Sequence, residues 1–285
     1  MDAPIVLSAR EKPAGGAVVA VRAPHAMPAV PRLAVLIHGY NNTEPSAAEA
    51  YAAFLARLDG VHARRWWTVA LFFWPGDKPW SALSGLSYPA EIGAATLAAQ
   101  ELRLFLATLR GPHGAPVEIA FVTHSLGGRL LLELLDDARA KQPPLLVTLA
   151  CLMAPAVPVD RVEPAGVLRA AAEMPRRAAV FHSEHDAVLK WGFRIGQAAA
   201  GEGFAARAVG RFGEPRRGLW SVSMPTTHGH GGYWGAANCA EEVARQLGAA
   251  PARAIGARAI AARALPMSAS PFRSAAPARS RGARR

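Results

Sequence analysis

Read in order, the chain alternates short apolar runs, closed by Gly, Pro or polar clusters, with longer stretches whose apolar positions recur at helical spacing. The short runs predict strands over residues 17–21, 33–37, 68–73, 117–122, 145–151, 178–182 and 219–222. The longer stretches predict helices over 45–58, 89–109, 126–140, around 167–172, and over 235–247. Strands that alternate with helices predict an α/β fold, a mostly parallel central sheet with helices on both faces. The run Ile119-Ala-Phe-Val-Thr123 is apolar at successive positions, as a central strand covered on both sides requires. The Leu-Leu-Leu-Glu-Leu-Leu that follows at 130–135 suits the buried face of the next helix.

Composition adds a domain boundary. Over 285 residues the chain is 51% hydrophobic and 19% charged, which fits one packed domain over 1–248, and no internal repeat interrupts it. Its formal charge is +11, yet eight arginines and no acid fall within 249–285. The remainder carries 24 basic against 21 acidic side chains, so the charge predicts no specific nucleic-acid partner for the domain. Residues 249–285, rich in Ala, Arg, Pro and Ser, are expected to be a disordered basic tail, because they hold too few large apolar groups to offset ordering entropy. A short amphipathic helix over 252–265, or a weak contact with an anionic surface, are the alternatives there. Cys151 and Cys239 form neither a disulfide framework nor a zinc spacing, and are expected as small buried apolar residues. The opening MDAPIVLSAREKP has an acid at position 2 and too short an apolar run for a secretory signal, which makes a cytoplasmic protein the default. The aliphatic stretch 143–159 contains Pro143, Pro144, Pro155 and Pro158, so no transmembrane span is expected.

The chemistry concentrates at strand ends. Thr123-His-Ser-Leu-Gly-Gly128 joins a buried strand to an apolar helix, the setting of a nucleophile elbow. Such a turn lifts the Ser125 hydroxyl above the sheet edge and aims helical N–H groups at the same space. Thr123 stands where the G-x-S-x-G pattern has its first glycine, and a serine at this place can also simply cap the helix. Upstream, the strand over 33–37 ends in His38-Gly39-Tyr40-Asn41-Asn42, which supplies Tyr40 as one oxyanion-hole N–H beside that of Leu126. His38 is expected to brace this loop, and the two asparagines to stabilise its turn.

A serine needs a base and an orienting acid, in the chain order serine, acid, histidine. Asp186 follows the strand over 178–182, and Glu184 and Asp160 are the fallback acids. Thr227-His-Gly-His-Gly-Gly-Tyr-Trp234 offers His230 and His228 as bases, with His230 preferred because it lies nearer the final helix. His182, His185, Asp186, His228 and His230 also offer donors suited to a metal, although their spacing matches no compact metal motif.

Together these residues resemble the α/β-hydrolase superfamily, and within it uncharacterised bacterial members with an esterase- or lipase-like core. The likeness rests on HGYNN at 38–42, FFWPGD at 72–77, THSLGGRLL at 123–131, MAPAVPVD at 153–160, HDAVL at 185–189 and HGGYW at 230–234, in that order. It implies a Ser125–Asp186–His230 triad, hydrolysis through an acyl-enzyme and no metal or organic cofactor, with a small acyl compound as substrate. It implies no particular substrate. Trp74, Trp80, Leu83, Leu86 and Tyr88 follow the strand over 68–73 and suit the wall of an apolar acyl or aryl pocket, or equally the core beneath the loops. Residues 155–175 form another connection long enough to cover a site. A second class of function is a non-catalytic binding protein of the same fold, docked through its basic tail. A third is a metal-dependent hydrolase.

Overall fold

A computed structural model of the chain describes residues 3–23, 25–61, 66–77, 84–201, 206–215 and 218–248, with backbone alone at 84–89 and 199. The basic tail over 249–285 and the segment holding Trp80 and Leu83 lie outside the described residues, as do the side chains of Leu86 and Tyr88.

The strands are β1 (Ile5–Arg10), β2 (Val18–Arg22), β3 (Arg32–Ile37), β4 (Thr68–Phe73), β5 (Glu118–His124), β6 (Leu146–Met153), β7 (Arg177–His182) and β8 (Val222–Pro225). They form one sheet in the order β2-β1-β4-β3-β5-β6-β7-β8. Only β2 runs against its neighbour, and β1 and β3 to β8 are parallel. The helices are α1 (Glu44–Gly60), α2 (Ser84–Thr108), α3 (Leu126–Arg139), α4 (Val159–Val162), α5 (Arg169–Ala172), α6 (Phe193–Ala199), α7 (Val209–Phe212) and α8 (Ala237–Gly248). A π-helical turn, Val188–Gly192, runs directly into α6.

Burial explains this arrangement. Phe121 and Val122 of β5 point to opposite faces, and both are fully buried, so helices cover both sides of the sheet centre. Helix α1 packs with α8, while α2 packs with α3 and α6. Thr43 caps α1 by accepting from the Ser46 N–H at 3.3 Å. The Tyr51 hydroxyl of α1 lies 3.1 and 2.8 Å from the carbonyl oxygens of Leu36 and Phe72, which ties the helix to β3 and β4.

The strand over 68–73 lies where the apolar run predicts it. Several features depart from the sequence reading, among them α4, which lies within the connection expected over 155–175. Strand β1 was not anticipated, since Ser8 and Arg10 interrupt its apolar pattern. The strand expected over 219–222 lies at Val222–Pro225, because Leu219 and Trp220 are buried in the turn before it, with Trp220 Nε1 donating to the Ala172 carbonyl at 3.3 Å. The helical run Val188–Gly192 with α6, and the short α7, occupy residues expected to be connections.

From β3 the chain crosses to β4, then returns over β3 to β5 and continues through β6 to β8 on the other side. The carboxyl ends of β3 and β5, paired at Ile37 and Thr123, therefore border the point where connections diverge, the place where open α/β sheets leave a crevice.

Candidate active site

Ser125 leaves the end of β5 with φ 55° and ψ −124°, a left-handed conformation that a non-glycine residue adopts only when its surroundings hold it there. Three backbone bonds do so. The Ser125 N–H donates to the Met153 carbonyl at 3.0 Å, and its own carbonyl accepts from Gly128 at 2.9 Å and Ala156 at 3.0 Å. Thr123 is accommodated in β5, buried, with its hydroxyl 3.4 Å from the Cys151 carbonyl.

The turn also requires bare backbone beside it. A Cβ on Gly39 would lie 2.7 Å from that of Ser125, and one on Gly127 would lie 2.5 Å from the His38 carbonyl oxygen. The loop after β3 thus presses directly on the serine. Ser125 makes no side-chain cap to α3; its Oγ instead lies 2.8 Å from His230 Nε2.

His230 opens a short turn, His230–Gly232, after β8, and its Nδ1 lies 2.7 Å from Asp186 Oδ2. Asp186 sits in the connection after β7, fully buried, and its second oxygen accepts from the Leu189 N–H at 2.8 Å. A carboxylate only accepts, so Nδ1 carries the ring proton and Nε2 presents its lone pair to the serine hydroxyl. Arg211 Nη1 donates to the carbonyls of Glu184 and Asp186 and so pins the connection from outside.

The alternatives go elsewhere. The other candidate base, His228, has its Nε2 2.9 Å from Asn238 Oδ1 on the surface. Glu184 is exposed, and Asp160 is an exposed residue in the first turn of α4. His182 lies 3.4 Å from the Ser223 hydroxyl, and burial lowers its pKa. Among the described residues no group of three or more His, Cys, Asp or Glu side chains is placed to hold a metal ion. Cys151 and Cys239 are buried thiols whose pKa values burial raises, that of Cys239 to about 12.

Two further histidines brace the site. His38, at the end of β3, is buried, stacks on Trp74 with ring centroids 5.5 Å apart, and accepts from the Trp74 N–H at 3.2 Å through Nε2. Its Nδ1 faces the Gly39 carbonyl at 2.9 Å, so the neutral ring both donates and accepts, and burial lowers its pKa to about 3. Trp74 is itself fully buried and donates Nε1–H to the His38 carbonyl at 3.0 Å, which places it behind the loop.

His124 was not singled out from the sequence. It precedes Ser125, is buried, and its Nε2 lies 2.7 Å from the backbone carbonyl of His230. Its ring packs 4.9 Å from the His230 ring and near Tyr233 and Trp234. Burial, with the adjacent His230, lowers its pKa to about 3.

The loop carrying Tyr40 is fastened from below. Asn42 Nδ2 donates to the Tyr40 carbonyl at 2.9 Å, and the Asn41 N–H to the Gly76 carbonyl at 2.6 Å. Arg10, buried at the end of β1, donates to the Asn42 carbonyl at 2.6 Å and pairs with Asp77 at 2.5 Å. Leu126, the other expected oxyanion donor, is the first residue of α3 and is buried.

Solved structures similar to this chain include esterase B from Lactobacillus rhamnosis, 11% identical over 80% of this chain and 79% of its own, with a TM-score of 0.42. Carboxyl esterase 2 from Tuber melanosporum is 15% identical over 80% and 78%, with a TM-score of 0.42. A gene product of Listeria innocua is 10% identical over 77% and 94%, with a TM-score of 0.46. A search of curated proteins finds no match. By sequence, residues 26–206, more than half of the chain, match the family described as "Alpha/beta hydrolase of unknown function (DUF900)". The stretch contains Ser125 and Asp186 and ends before His230. The chain belongs to this DUF900 family of α/β hydrolases.

Proposed function

We propose that the protein is a serine hydrolase that cleaves a carboxylic ester, or a related acyl bond, through an acyl-enzyme. The observation that carries this reading is the continuous relay from Ser125 Oγ to His230 Nε2 at 2.8 Å and from His230 Nδ1 to Asp186 Oδ2 at 2.7 Å. Ser125 Oγ attacks the substrate carbonyl carbon while His230 Nε2 takes its proton. The oxygen of the tetrahedral intermediate then carries negative charge, for which the backbone N–H groups of Tyr40 and Leu126 are the donors. His230 returns the proton to the leaving alcohol, and the C–O bond to that alcohol breaks. Water, deprotonated by the same histidine, attacks the acyl carbon, the bond from that carbon to Ser125 Oγ breaks, and His230 returns the proton to Oγ as the acid leaves. Asp186 stays ionised and stabilises the imidazolium. These steps call on no cofactor. Trp80 and Tyr88 remain the side chains proposed to wall the acyl site.

Labelling with a fluorophosphonate followed by mass spectrometry tests the reading. The expected result is an adduct on Ser125 of the wild type and none on Ser125→Ala. In Asp186→Asn the labelling rate should fall by about 10⁴-fold, the cost of presenting the wrong imidazole tautomer. A well-folded wild type that takes no label would sink the proposal and return the protein to the class of non-catalytic binders.

A further inference from the structure

The helical run after Asp186 is apolar on the side that faces solvent. Leu189, Phe193 and Gln197 form its buried stripe, four residues apart, where α6 packs on α2. Outside that stripe Val188, Trp191 and Ile195 are 51%, 59% and 56% exposed. Single exposed apolar residues are ordinary on a protein surface, but three on one short helical run, one of them a tryptophan, need a reason.

Charge narrows the reason. Lys190 and Arg194 are exposed on the same run, and Lys190 Nζ lies 5.0 Å from the centroid of the Trp191 ring. The sequence has no acid from Ala187 to Gly201, between Asp186 and Glu202. The neighbouring α7 packs on the π turn and adds Phe212, 40% exposed, with the Arg207 and Arg211 guanidinium carbons 4.3 and 5.5 Å from its ring centroid. Two copies of such a face would set cation against cation, which disfavours self-association. A tryptophan and two aliphatic groups can enter an apolar layer while long basic side chains keep their charges at its anionic boundary.

We propose that this face, formed by Val188, Trp191 and Ile195 with Lys190 and Arg194, docks the protein on an anionic lipid surface. The Leu189 N–H donates to Asp186 Oδ1, so the docked run and the buried acid of the site are parts of one turn. An acyl substrate would then be drawn from the lipid, a consequence that rests on the hydrolase reading.

The test is co-sedimentation of the full chain, carrying Ser125→Ala, with vesicles of phosphatidylcholine containing phosphatidylglycerol and with vesicles of phosphatidylcholine alone. Binding is expected to the anionic vesicles and to be much weaker on the neutral ones. Lys190→Gln with Arg194→Gln should weaken anionic binding about thirtyfold. Trp191→Ser with Ile195→Ser should weaken it at least as much, while the melting temperature of both exposed-site variants stays at the parent value. Anionic binding that survives both double variants would overturn the proposal and assign the contact to another surface. Absence of binding to either vesicle would overturn it too, and a dimer in sedimentation velocity that Trp191→Ser dissociates would assign the face to a second copy. A parallel assay on Ser125-containing chains with the soluble ester p-nitrophenyl butyrate separates the two ideas. Vesicle binding with neither hydrolysis nor fluorophosphonate labelling of Ser125 sinks the hydrolase reading alone, and hydrolysis without vesicle binding sinks the docking face alone.

Discussion

On the serine side of the site, position is set by backbone against backbone. Ser125 hangs from a carbonyl of β6 and from amides of α3 and of the connection after β6, and the Gly39 loop leaves no room for a side chain between itself and the serine. On the base side, position is set by side chains that cross between connections. Asp186 and His230 leave the ends of β7 and β8 and are tied by one carboxylate, one guanidinium and the ring of His124. The first side draws on the most buried strands. The second stands at the edge of the sheet, where β8 is short and partly exposed. Rigidity at Ser125 therefore comes from the sheet, whereas the placement of His230 depends on a few hydrogen bonds that single substitutions can remove.

The largest effect is expected on the serine side, at the clamp beneath its loop. Asp77→Ala leaves the Arg10 guanidinium buried, with the carbonyls of Asn42 and Pro13 as its remaining partners. Stranding a buried charge costs about 3–5 kcal/mol. Urea denaturation should show a loss of that size, together with slower fluorophosphonate labelling as the Tyr40 loop loosens. A loss of under about 1 kcal/mol would mean that water reaches Arg10 and that the pair is no clamp.

On the base side the sharpest probe is His124→Phe, which keeps an aromatic ring but removes the donor to the His230 carbonyl. The bond is part-buried, and leaving its acceptor unsatisfied costs up to about 1–3 kcal/mol. Because that acceptor belongs to His230 itself, kcat should fall on the order of 30-fold with KM nearly constant, and His124→Gln, which restores a donor, should recover part of the rate. Wild-type kcat in the Phe variant would show that the loop holds its base without this bond.

Both sides share a pH-dependent term. Burial lowers His38 and His124 from 6.5 to about 3, so each stays neutral in the folded protein while its unfolded counterpart takes up a proton. Their stabilisation is complete above pH 6.5 and is lost as pH falls toward 3. Each histidine should contribute a slope of about 1.4 kcal/mol per pH unit within that window. Urea midpoints across the window should follow this trend, and His124→Gln should flatten it by one histidine's share. A slope unchanged in the variant would mean that His124 takes up its proton without unfolding.

The sequence reading succeeds where a residue's environment is local. Phe121 and Val122 lie in an apolar run long enough to imply burial on both faces, and Ser125 and Asp186 each follow a strand that could be read from its own composition, whereas the strand before His230 is expected three residues ahead of where β8 lies. It fails where the decisive partner is remote. Arg10 breaks the pattern of β1 because Asp77, which neutralises it, arrives through a different strand. Trp220 reads as part of a strand because apolar character does not distinguish a buried turn from a ladder position. The run Val188–Gly192 with α6 shows no helical stripe in sequence, since its solvent side is apolar and Gly192 and Gly196 interrupt it. His124 carried a visible signal, a histidine beside the nucleophile, but its partner is a main-chain carbonyl 106 residues away, which side-chain types cannot reveal.

The smallest expected effect sharpens the same contrast. His228 and His230 are two residues apart on one glycine-rich turn, and spacing alone barely separates them as bases. In the structure His228 turns to Asn238 on the surface while His230 turns inward to Ser125 and Asp186. Asn238 Oδ1 also accepts from the Cys239 N–H at the start of α8, so it keeps a partner when the histidine is removed. His228→Ala should therefore cost no more than about 0.5 kcal/mol of stability and leave the labelling rate within about twofold of wild type. His230→Ala should remove nearly all labelling. If instead His228→Ala abolishes labelling and His230→Ala does not, the turn rearranges in the working protein and the two histidines exchange roles. The tie from His124 to the His230 carbonyl would then have to break, so the same measurement on His124→Phe would distinguish that rearrangement from a simple loss of the base.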